Sequence, residues 1–248
     1  MRNITVACFS PSGGTRRAAE RLAGTLGETQ MWLDLIDPGQ RTAELGEGDV
    51  LLLALPVYAG RVPAVEGLLD GLTGQNTPCV LLAAYGNRHY DDALAQMQKK
   101  MEERGFRCVG VAAVITPHVF APELGAGRPD ERDMALLTDF AGQICAKLEQ
   151  DAWDDVYVPG AADPEPKKAV PVPKERDMER CVRCGLCARR CPTEAMSSTD
   201  LNWDMQRCIS CMACVSVCPK QALSFDGAAL KERLTANFSQ PRPVEIFI

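Results

Sequence analysis

The sequence has 248 residues, of which 46% are apolar and 24% charged, as expected for a globular protein with a buried core. Its 27 basic and 33 acidic side chains give a net charge of −6 without a basic run, which disfavours a nucleic-acid partner. The longest apolar run, from Val50 to Gly60, is about half of the roughly 20 residues that a membrane-spanning helix needs. The first residues do not form an export signal, so we expect a cytoplasmic protein without a membrane span.

The first 150 residues alternate between strand-like and helix-like runs. Five runs predict strands: Ile4–Phe9, Met31–Leu35, Val50–Leu55, Cys79–Tyr85 and Cys108–Ile115. Four runs predict helices: Thr15–Leu26, Val65–Leu72, Asp91–Arg104 and Glu131–Glu149. This alternation predicts an α/β domain over residues 1–150, built on a parallel sheet that is covered on both faces.

Beyond residue 150 the alternation ends. Residues 151–175 contain five prolines, which is typical of a semi-extended linker. Residues 176–228 hold a dense group of cysteines, and residues 229–248 form a mixed tail. At this end of the chain, Ala228–Leu234 predicts a short helix and Val244–Ile248 predicts an edge strand.

Eight of the twelve cysteines lie in two copies of one motif. In each copy two, two and three residues separate the cysteines, proline follows the last one, and the second copy begins 27 residues after the first. This spacing is typical of bacterial proteins with two [4Fe–4S] clusters, in which the fourth cysteine of each motif ligates the other cluster. We therefore predict two ligand sets, one of Cys181, Cys184, Cys187 and Cys218 and the other of Cys208, Cys211, Cys214 and Cys191.

Two zinc sites are the main alternative for these cysteines, although zinc modules usually pair two separated Cys-x-x-Cys knuckles. Disulfides are a further alternative, which the absence of an export signal disfavours. A module of about fifty residues has too small a core to fold alone, so we expect cluster insertion to be part of its folding. The remaining cysteines are predicted to be buried core thiols: Cys8, Cys79, Cys108 and Cys145.

Three loops follow the first, third and fourth predicted strands, whose carboxyl ends meet at the ligand-binding edge of a parallel sheet. The first loop, Ser10–Thr15, places hydroxyls and glycines at a helix N-terminus, where they can surround a phosphate. The second, Pro56–Pro63, and the third, Ala84–Asp91, offer aromatic and amide groups. Each loop could by itself be an ordinary turn. Together they predict a phosphate site joined to an aromatic slot, without the signature of a dinucleotide or triphosphate loop.

The three loops resemble those with which flavodoxins bind FMN. With the cysteine motifs, the whole chain resembles the fused flavodoxin–ferredoxin proteins of anaerobic microbes, the ferrodoxins. The resemblance implies a flavodoxin-like five-stranded parallel sheet of order 2-1-3-4-5, joined to a small α+β ferredoxin-like domain with two [4Fe–4S] clusters. It also implies bound FMN.

The resemblance assigns roles to the loop residues. The FMN phosphate would contact Ser10, Ser12, Gly13, Gly14 and Thr15. Tyr58 would lie against the flavin ring, on a wall shaped by Pro56, Val57, Ala59 and Gly60. The other side of the ring would be bordered by Gly86, Asn87, Tyr90 and Asp91. Pro11 and Gly14 depart from the commonest flavodoxin loop, and Arg16 and Arg17 could either face solvent or add charge near the phosphate.

These cofactors predict electron transfer between the clusters, FMN and a redox protein, either a ferredoxin-like donor or an acceptor reductase. A rival hypothesis is an FMN-dependent reductase of a small organic substrate, which its own clusters supply with electrons. A third is an iron–sulfur sensor or scaffold with an empty flavodoxin domain. The sequence shows no protein nucleophile or acid–base dyad, so no catalytic residue is predicted, and a homodimer is left open.

Overall fold

The computed structural model describes residues 2–150, 153–165, 167 and 171–248. Its strands are β1 (Asn3–Cys8), β2 (Thr29–Asp34), β3 (Thr42–Leu45), β4 (Asp49–Pro56), β5 (Gly71–Gly74), β6 (Thr77–Tyr85), β7 (Phe106–Ile115), β8 (Lys174–Arg176), β9 (Leu223–Phe225) and β10 (Glu245–Phe247). Its α-helices are α1 (Gly14–Leu26), α2 (Ala93–Glu102), α3 (Glu131–Gln150), α4 (Leu186–Arg189), α5 (Ala213–Ser216) and α6 (Ala228–Phe238).

The main sheet has six strands in the order β10-β7-β6-β4-β1-β2. Strands β2, β1, β4, β6 and β7 are parallel to one another, and β10 pairs with β7 in the antiparallel direction at one edge of the sheet. Each of the five predicted strands is confirmed within two residues at either end. When these five parallel strands are numbered 1 to 5 along the chain, their order in the sheet is 2-1-3-4-5, as predicted. This is the strand order of the flavodoxin-like doubly wound fold.

The core lies on both faces of this sheet. Every residue of β6 is buried, as are the six central residues of β4, as expected for central strands that helices cover on both sides. Helix α1 packs against α3, while α2 packs against β6 and β7. Within the described residues, none of the helices combines the length and apolar character needed to cross a membrane.

The predicted helix over Val65–Leu72 is wrong. Residues 66–70 form turns, and the chain then enters β5, which pairs in parallel with β3 as a separate two-stranded sheet. Gly67 and Gly71 lower the helix propensity of this short run. Its leucines are nevertheless buried, because the turns direct them into the core.

The last residues of the chain complete the α/β domain. Helix α6 and strand β10 confirm the helix and edge strand predicted there, with Glu245 opposite Ala113 and Phe247 opposite Val111. The end of the predicted separate tail is therefore an edge strand of the main sheet. The other domain boundaries stay a prediction.

The cysteine-rich segment forms a small second unit. Strand β8 pairs with β9 in an antiparallel ribbon, and the short helices α4 and α5 each lie inside one cysteine motif. This unit is docked on the α/β domain by polar contacts. Arg190 Nη1 pairs with Asp34 Oδ2 at 2.7 Å, and the buried Arg41 donates to the carbonyl of Pro192 at 3.2 Å.

The described part of the predicted linker before β8, residues 153–165, 167 and 171–173, contacts the α/β domain and has no helix or strand, while the last two linker residues belong to β8. Val156 and Val158 are buried against the core, and Gln98 Nε2 donates to the carbonyl of Val156 at 2.9 Å. The segment is therefore anchored at several points along its course. The linker positions 151, 152, 166 and 168–170 lie outside the described residues.

Candidate functional site

A cavity of about 510 Å³ opens at the carboxyl ends of the parallel strands. Its walls come from the loops after β1, β4, β6 and β7, from α6 and from the second cysteine motif. This is the edge at which open α/β sheets bind ligands, and the volume lies in the range of roughly 300–1,000 Å³ of small-molecule sites. Nine of the predicted site residues line it: Ser12, Gly14, Thr15, Pro56, Val57, Tyr58, Ala59, Gly60 and Gly86.

The N-terminus of α1 gives the cavity an anion-binding end. Gly13 precedes the helix in the left-handed conformation, with φ of 84°, which glycine adopts without steric cost. The amide of Arg16 donates to Ser10 Oγ at 3.0 Å, so Ser10 caps the helix behind the cavity. Since the first helical amides have no intrahelical partner, those of Gly14 and Thr15 remain for an anion.

The two arginines of this loop differ in where their guanidinium groups lie. Arg16 pairs with Glu20 at 2.7 Å and stacks over the ring of Trp32 at 4.7 Å, so its charge is engaged on the helix surface. Arg17 reaches back, and its Nη1 lies 3.9 Å from the position that a Cβ of Gly13 would take. Of the two arginines, Arg17 therefore brings positive charge to the start of α1.

The loop after β4 forms the second wall. Tyr58 and Arg61 exchange backbone hydrogen bonds of 2.9 and 3.1 Å, which close a tight turn. The phenol of Tyr58 is half-buried and lines the cavity together with Cys211. Burial raises the pKa of Tyr58 well above its usual value, and the charge of the Cys211 thiolate adds to that rise. The phenol is therefore neutral and can cover a flat ligand.

The third wall joins the loops after β6 and β7. A Cβ at Gly86 would lie only 2.4 Å from His118 Cδ2, so the two loops can approach this closely only because residue 86 is glycine. His118 Nδ1 accepts a hydrogen bond from the amide of Phe120 at 3.1 Å. Burial lowers the pKa of His118 to about 4, and the charge of Arg88 lowers it as well. His118 therefore presents a neutral imidazole at the cavity.

The predicted role of Asn87 needs correction. Its side chain points to the C-terminal segment, where Nδ2 donates to the carbonyls of Phe238 and Gln240 at 2.7 and 2.9 Å. Its Oδ1 accepts from the amide of Arg242 at 3.0 Å. All polar atoms of the amide are thus used to hold the segment between α6 and β10, and the buried Asn87 does not border the cavity.

Tyr90 and Asp91 also lie away from the cavity that they were predicted to border. The buried Tyr90 donates through its hydroxyl to Glu245 Oε2 at 2.7 Å, which ties the loop to β10. Asp91 pairs with Arg88 at 2.9 Å and with Lys167 of the linker at 3.6 Å. Both residues support the walls from behind, because the C-terminal segment and the linker occupy their polar groups.

Three groups of cavity residues were not predicted. The loop after β7 contributes Thr116, Pro117, His118, Val119 and Phe120. Helix α6 contributes Leu230, Arg233, Leu234, Asn237 and Phe238, and the second cysteine motif contributes Ile209, Ser210 and Cys211. The rule used for the other loops applies equally after the fifth parallel strand, so the first group could have been found. The other two groups are brought to the cavity by long-range packing, for which the sequence carries no local signal.

The structure brings the first set of four cysteines together. Cys181, Cys184, Cys187 and Cys218 line one small cavity, to which the second motif contributes only its last cysteine. Arg176 Nη1 lies 3.4 Å from Cys181 Sγ and 4.0 Å from Cys187 Sγ. The hydrogen bond from Arg176 lowers the pKa of Cys181 and so favours its thiolate.

The other cysteines of the second set lie near Cys211. The pKa of Cys211 is raised to about 12, mainly by burial, with smaller contributions from the charges of Cys214, Cys191 and Cys208. Cys191 of the first motif therefore lies beside the second motif. Lys174 Nζ donates to Cys208 Sγ at 3.2 Å.

These two sets fit the donor requirement of [4Fe–4S] clusters, which take four thiolates each, three from one motif and one from the other. Each set also has one basic side chain within hydrogen-bonding distance of a sulfur, which offsets the charge of a thiolate-bound cluster. Which cysteine ligates which cluster stays a prediction.

The second motif also forms part of the wall of the large cavity. Ile209 packs against the core of the α/β domain and lines the cavity beside Ser210 and Cys211. Ser210 Oγ accepts from the amide of Val172 at 2.8 Å, which fixes the loop to the end of the linker. The second set of cysteines is therefore adjacent to whatever the cavity binds.

The other four cysteines lie where core thiols were predicted. Cys8, Cys79 and Cys108 are buried in β1, β6 and β7, and Cys145 is half-buried in α3. Burial raises the pKa of Cys8 to about 12, so this thiol is protonated.

Comparison with known proteins supports these assignments in part. Residues 174–219 match the family model of the 4Fe-4S dicluster domain, and we assign this segment to that domain type. No curated protein matches the sequence significantly.

Solved structures similar to the chain include flavodoxins. A flavodoxin from the domain Archaea is 15% identical, with a TM-score of 0.43 over 59% of this chain and 99% of that one. A flavodoxin of Streptococcus pneumonia TIGR4 is 16% identical, with a TM-score of 0.41 over 58% and 98%. The metal-soaked Flv1 flavodiiron core of Synechocystis sp. PCC6803 is 12% identical, with a TM-score of 0.41 over 61% of this chain and only 37% of that one. The assignment of the fold to this chain depends on its own strand order.

Proposed function

We propose that this protein transfers low-potential electrons between two [4Fe–4S] clusters, FMN and a redox partner protein. The observation that carries the proposal is the position of Cys211, which belongs to the second cysteine motif and also lines the large cavity. A cluster held by this motif would lie beside a ligand in the cavity. A one-electron centre joined to a flavin in this way forms an adaptor between different electron carriers.

FMN suits the cavity because its two ends have different chemistry. The amides of Gly14 and Thr15 at the start of α1 would bind the phosphate, with the hydroxyls of Ser12 and Thr15 as further donors. Tyr58 would cover the flavin ring. The single phosphate-binding end favours a mononucleotide over a dinucleotide. When bound, FMN would supply both one-electron and two-electron chemistry.

The residues around the cavity would keep water away from the gap between the two cofactors. Ile209 and Tyr58 both line the cavity and pack against the core of the α/β domain. Cys211 of the second cysteine set lines the same cavity. The second set of cysteines would therefore hold the cluster nearer to FMN, and the first set would hold the more distant one.

One observation favours a second candidate, an FMN-dependent reductase of a small organic substrate. The part of the cavity formed by α6 carries Arg233 and Asn237, and the loop after β7 adds His118, so polar groups face the cavity beyond the phosphate end. Such groups could orient a polar substrate beside the ring. Flavin reduction by one-electron donors that needs no clusters would favour this candidate.

The experiment that tests electron transfer combines analysis with rapid kinetics. Anaerobically purified protein should contain about eight iron and eight acid-labile sulfide per chain, and acid release should yield FMN. Reduction by a one-electron donor should bleach the cluster absorbance and reduce the flavin in linked phases. Removal of the clusters should slow flavin reduction while FMN stays bound. Stoichiometric zinc, or equally fast flavin reduction without clusters, would contradict the proposal.

A further inference from the structure

The two cysteine motifs are equivalent in sequence but differ in what covers them. At the 27-residue offset of the repeat, Val182 and Arg183 of the first motif correspond to Ile209 and Ser210 of the second. Ile209 and Ser210 form part of the cavity wall. Val182, in contrast, is 60% exposed, and Cys184 is exposed as well. The face that the second motif uses for docking inside the molecule is therefore left open in the first.

This open face has an apolar centre. Val182 is 60% exposed and lines the same small cavity as the exposed Cys184, and Met178, in the turn before the first motif, is 56% exposed. Single apolar side chains are common at protein surfaces, but beside a cluster-binding loop with a polar rim they offer contact area to a partner protein. A redox partner must approach a cluster closely, so contact over this loop would serve that purpose.

The rim of the same face is basic. Arg180, Arg183 and Lys220 are exposed, and within the described residues their side chains form no salt bridge. Asp177 and Glu179 are exposed acidic side chains of the same turn, and the carboxylate of Asp177 accepts from the amides of Glu179 and Arg180. This basic rim stands out in a chain whose net charge is −6.

The repeat shows that cluster binding does not require every one of these charges. Arg183 corresponds to Ser210 in the second motif and Arg189 corresponds to Ser216, whereas Arg180 corresponds to Arg207 and is common to both motifs. Both motifs have the same cysteine spacing, so Arg183 and Arg189 are additional charges that the first motif does not need for cluster binding. Exposed charges of one sign around an apolar contact typically steer and orient an oppositely charged partner.

We infer that Met178, Arg180, Val182, Arg183, Cys184 and Lys220 form the docking site for an acidic one-electron carrier protein. The inference rests on the proposed electron-transfer function and identifies where electrons enter or leave the molecule. In the entry direction, one electron leaves the carrier, which is oxidised, and reaches the cluster of the first cysteine set, which is reduced. The step forms and breaks no bond and moves no proton.

Stopped-flow kinetics with a reduced two-cluster bacterial ferredoxin, an acidic carrier, tests the docking site. The variant is the double substitution Arg180→Glu/Arg183→Glu in the cluster-loaded protein. The matched control is Arg21→Glu/Arg132→Glu, which reverses two exposed arginines on α1 and α3. We expect the second-order rate of cluster reduction to fall at least tenfold in the docking variant at low salt and to stay unchanged in the control. High salt should reduce the difference, because exposed charges are screened over about 8–10 Å.

A second measurement covers the case in which the double variant loses its clusters. Carbodiimide should join carboxylates of the ferredoxin to Lys220 of the unmodified protein, and peptide mass spectrometry identifies the linked lysine. Cross-links confined to other lysines, such as Lys99 and Lys100 of α2, would overturn the docking site. So would equal ferredoxin rates in the docking variant and the control.

Dithionite, a small donor that needs no docking surface, separates failure of this inference from failure of the proposed function. If dithionite reduces the clusters of the unmodified protein but the flavin is not reduced in a linked phase, the electron-transfer function fails. If the linked phases are present but ferredoxin reduces the docking variant as fast as the control, only the docking site fails.

Discussion

Lys174 and Arg176 lie two residues apart on β8 and donate to sulfurs of different cysteine sets. Lys174 Nζ is 3.2 Å from Cys208 Sγ, and Arg176 Nη1 is 3.4 Å from Cys181 Sγ. Each proposed cluster thus has its own cationic donor. A positive charge and a hydrogen bond at a cluster sulfur stabilise the reduced, more negative state of the cluster.

Replacing these donors should therefore lower the reduction potentials one cluster at a time. We expect Lys174→Gln to lower the potential of the cluster nearer to the cavity, and Arg176→Gln that of the other cluster. A tenfold change in the reduction equilibrium corresponds to roughly 60 mV for one electron, and we expect a downward shift of about that size. Redox titration followed by electron paramagnetic resonance measures both potentials.

Lys174→Arg is the control for the first variant, because it keeps the positive charge and should keep most of the potential. Unchanged potentials in both glutamine variants would show that these hydrogen bonds do not act on the clusters.

The exchange of fourth cysteines between the motifs predicts which cluster each substitution damages. Cys191 lies beside Cys214, Cys208 and Cys211, although it belongs to the first motif. We expect Cys191→Ser to impair the cluster nearer to the cavity, with loss of up to roughly four iron, and to spare the other. Iron analysis with paramagnetic resonance identifies the affected cluster, and Cys145→Ser is the matched control. Selective loss of the more distant cluster would show that the fourth cysteines do not cross.

Most of the α/β domain could be predicted from local patterns. The continuous apolar run of β4 and the amphipathic run of α3 are strong signals, and the structure has both elements at the predicted positions. The run Val65–Leu72 was wrongly predicted to be a helix because its buried leucines are spaced as in a helix, although turns place them in the core. Tertiary packing overrides the local pattern there, because residues 71–74 form strand β5 and pair with β3.

The candidate site was predictable where it depends on sheet topology and unpredictable where it depends on docking. Thr15 and Tyr58 follow strands whose carboxyl ends meet at one edge, so the rule for parallel sheets locates them. Asn87 was misplaced because its partners, Phe238 and Gln240, come from the distant end of the chain. The contact of Ile209 with the cavity depends on how two folded units fit together, which a single sequence does not encode locally.

Negative charge at the start of α1 should expel the flavin. Thr15 is buried and lines the cavity, and the donors around it would face the phosphate. We expect Thr15→Glu to weaken FMN binding at least tenfold, because a carboxylate would repel the phosphate and displace a hydrogen bond. Flavin content after gel filtration measures the loss. Thr29→Glu, at the exposed start of β2 on the opposite edge of the sheet, should retain its flavin.

The close approach of Gly86 to His118 gives a matched pair of alanine substitutions. A Cβ at residue 86 would lie 2.4 Å from His118 Cδ2, so Gly86→Ala should push the loops apart. We expect a loss of about 1–3 kcal/mol of stability and weaker flavin binding. Gly142 lies within α3, where a Cβ would meet open space among the described residues, so Gly142→Ala should stabilise the protein by about 0.5–1 kcal/mol. Denaturant unfolding and flavin titration compare the two.

His118 should make the stability of the flavin-free protein depend on pH. Burial lowers its pKa to about 4, and Arg88 lowers it as well while Glu123 raises it. In the unfolded chain the pKa of histidine is about 6.5. Between these values the unfolded chain binds a proton that the folded chain does not, so stability is complete above about pH 6.5 and falls as the pH decreases towards 4.

We therefore expect the unmodified protein to lose about 1 kcal/mol more than His118→Gln when the pH is lowered from 7.5 to 5.5. Thermal unfolding of the flavin-free proteins at the two pH values measures the difference. His89→Gln removes the other histidine, keeps His118 and should show the same decline as the unmodified protein. If His118→Gln lost stability as steeply as the unmodified protein, the decline would arise from groups other than this buried imidazole.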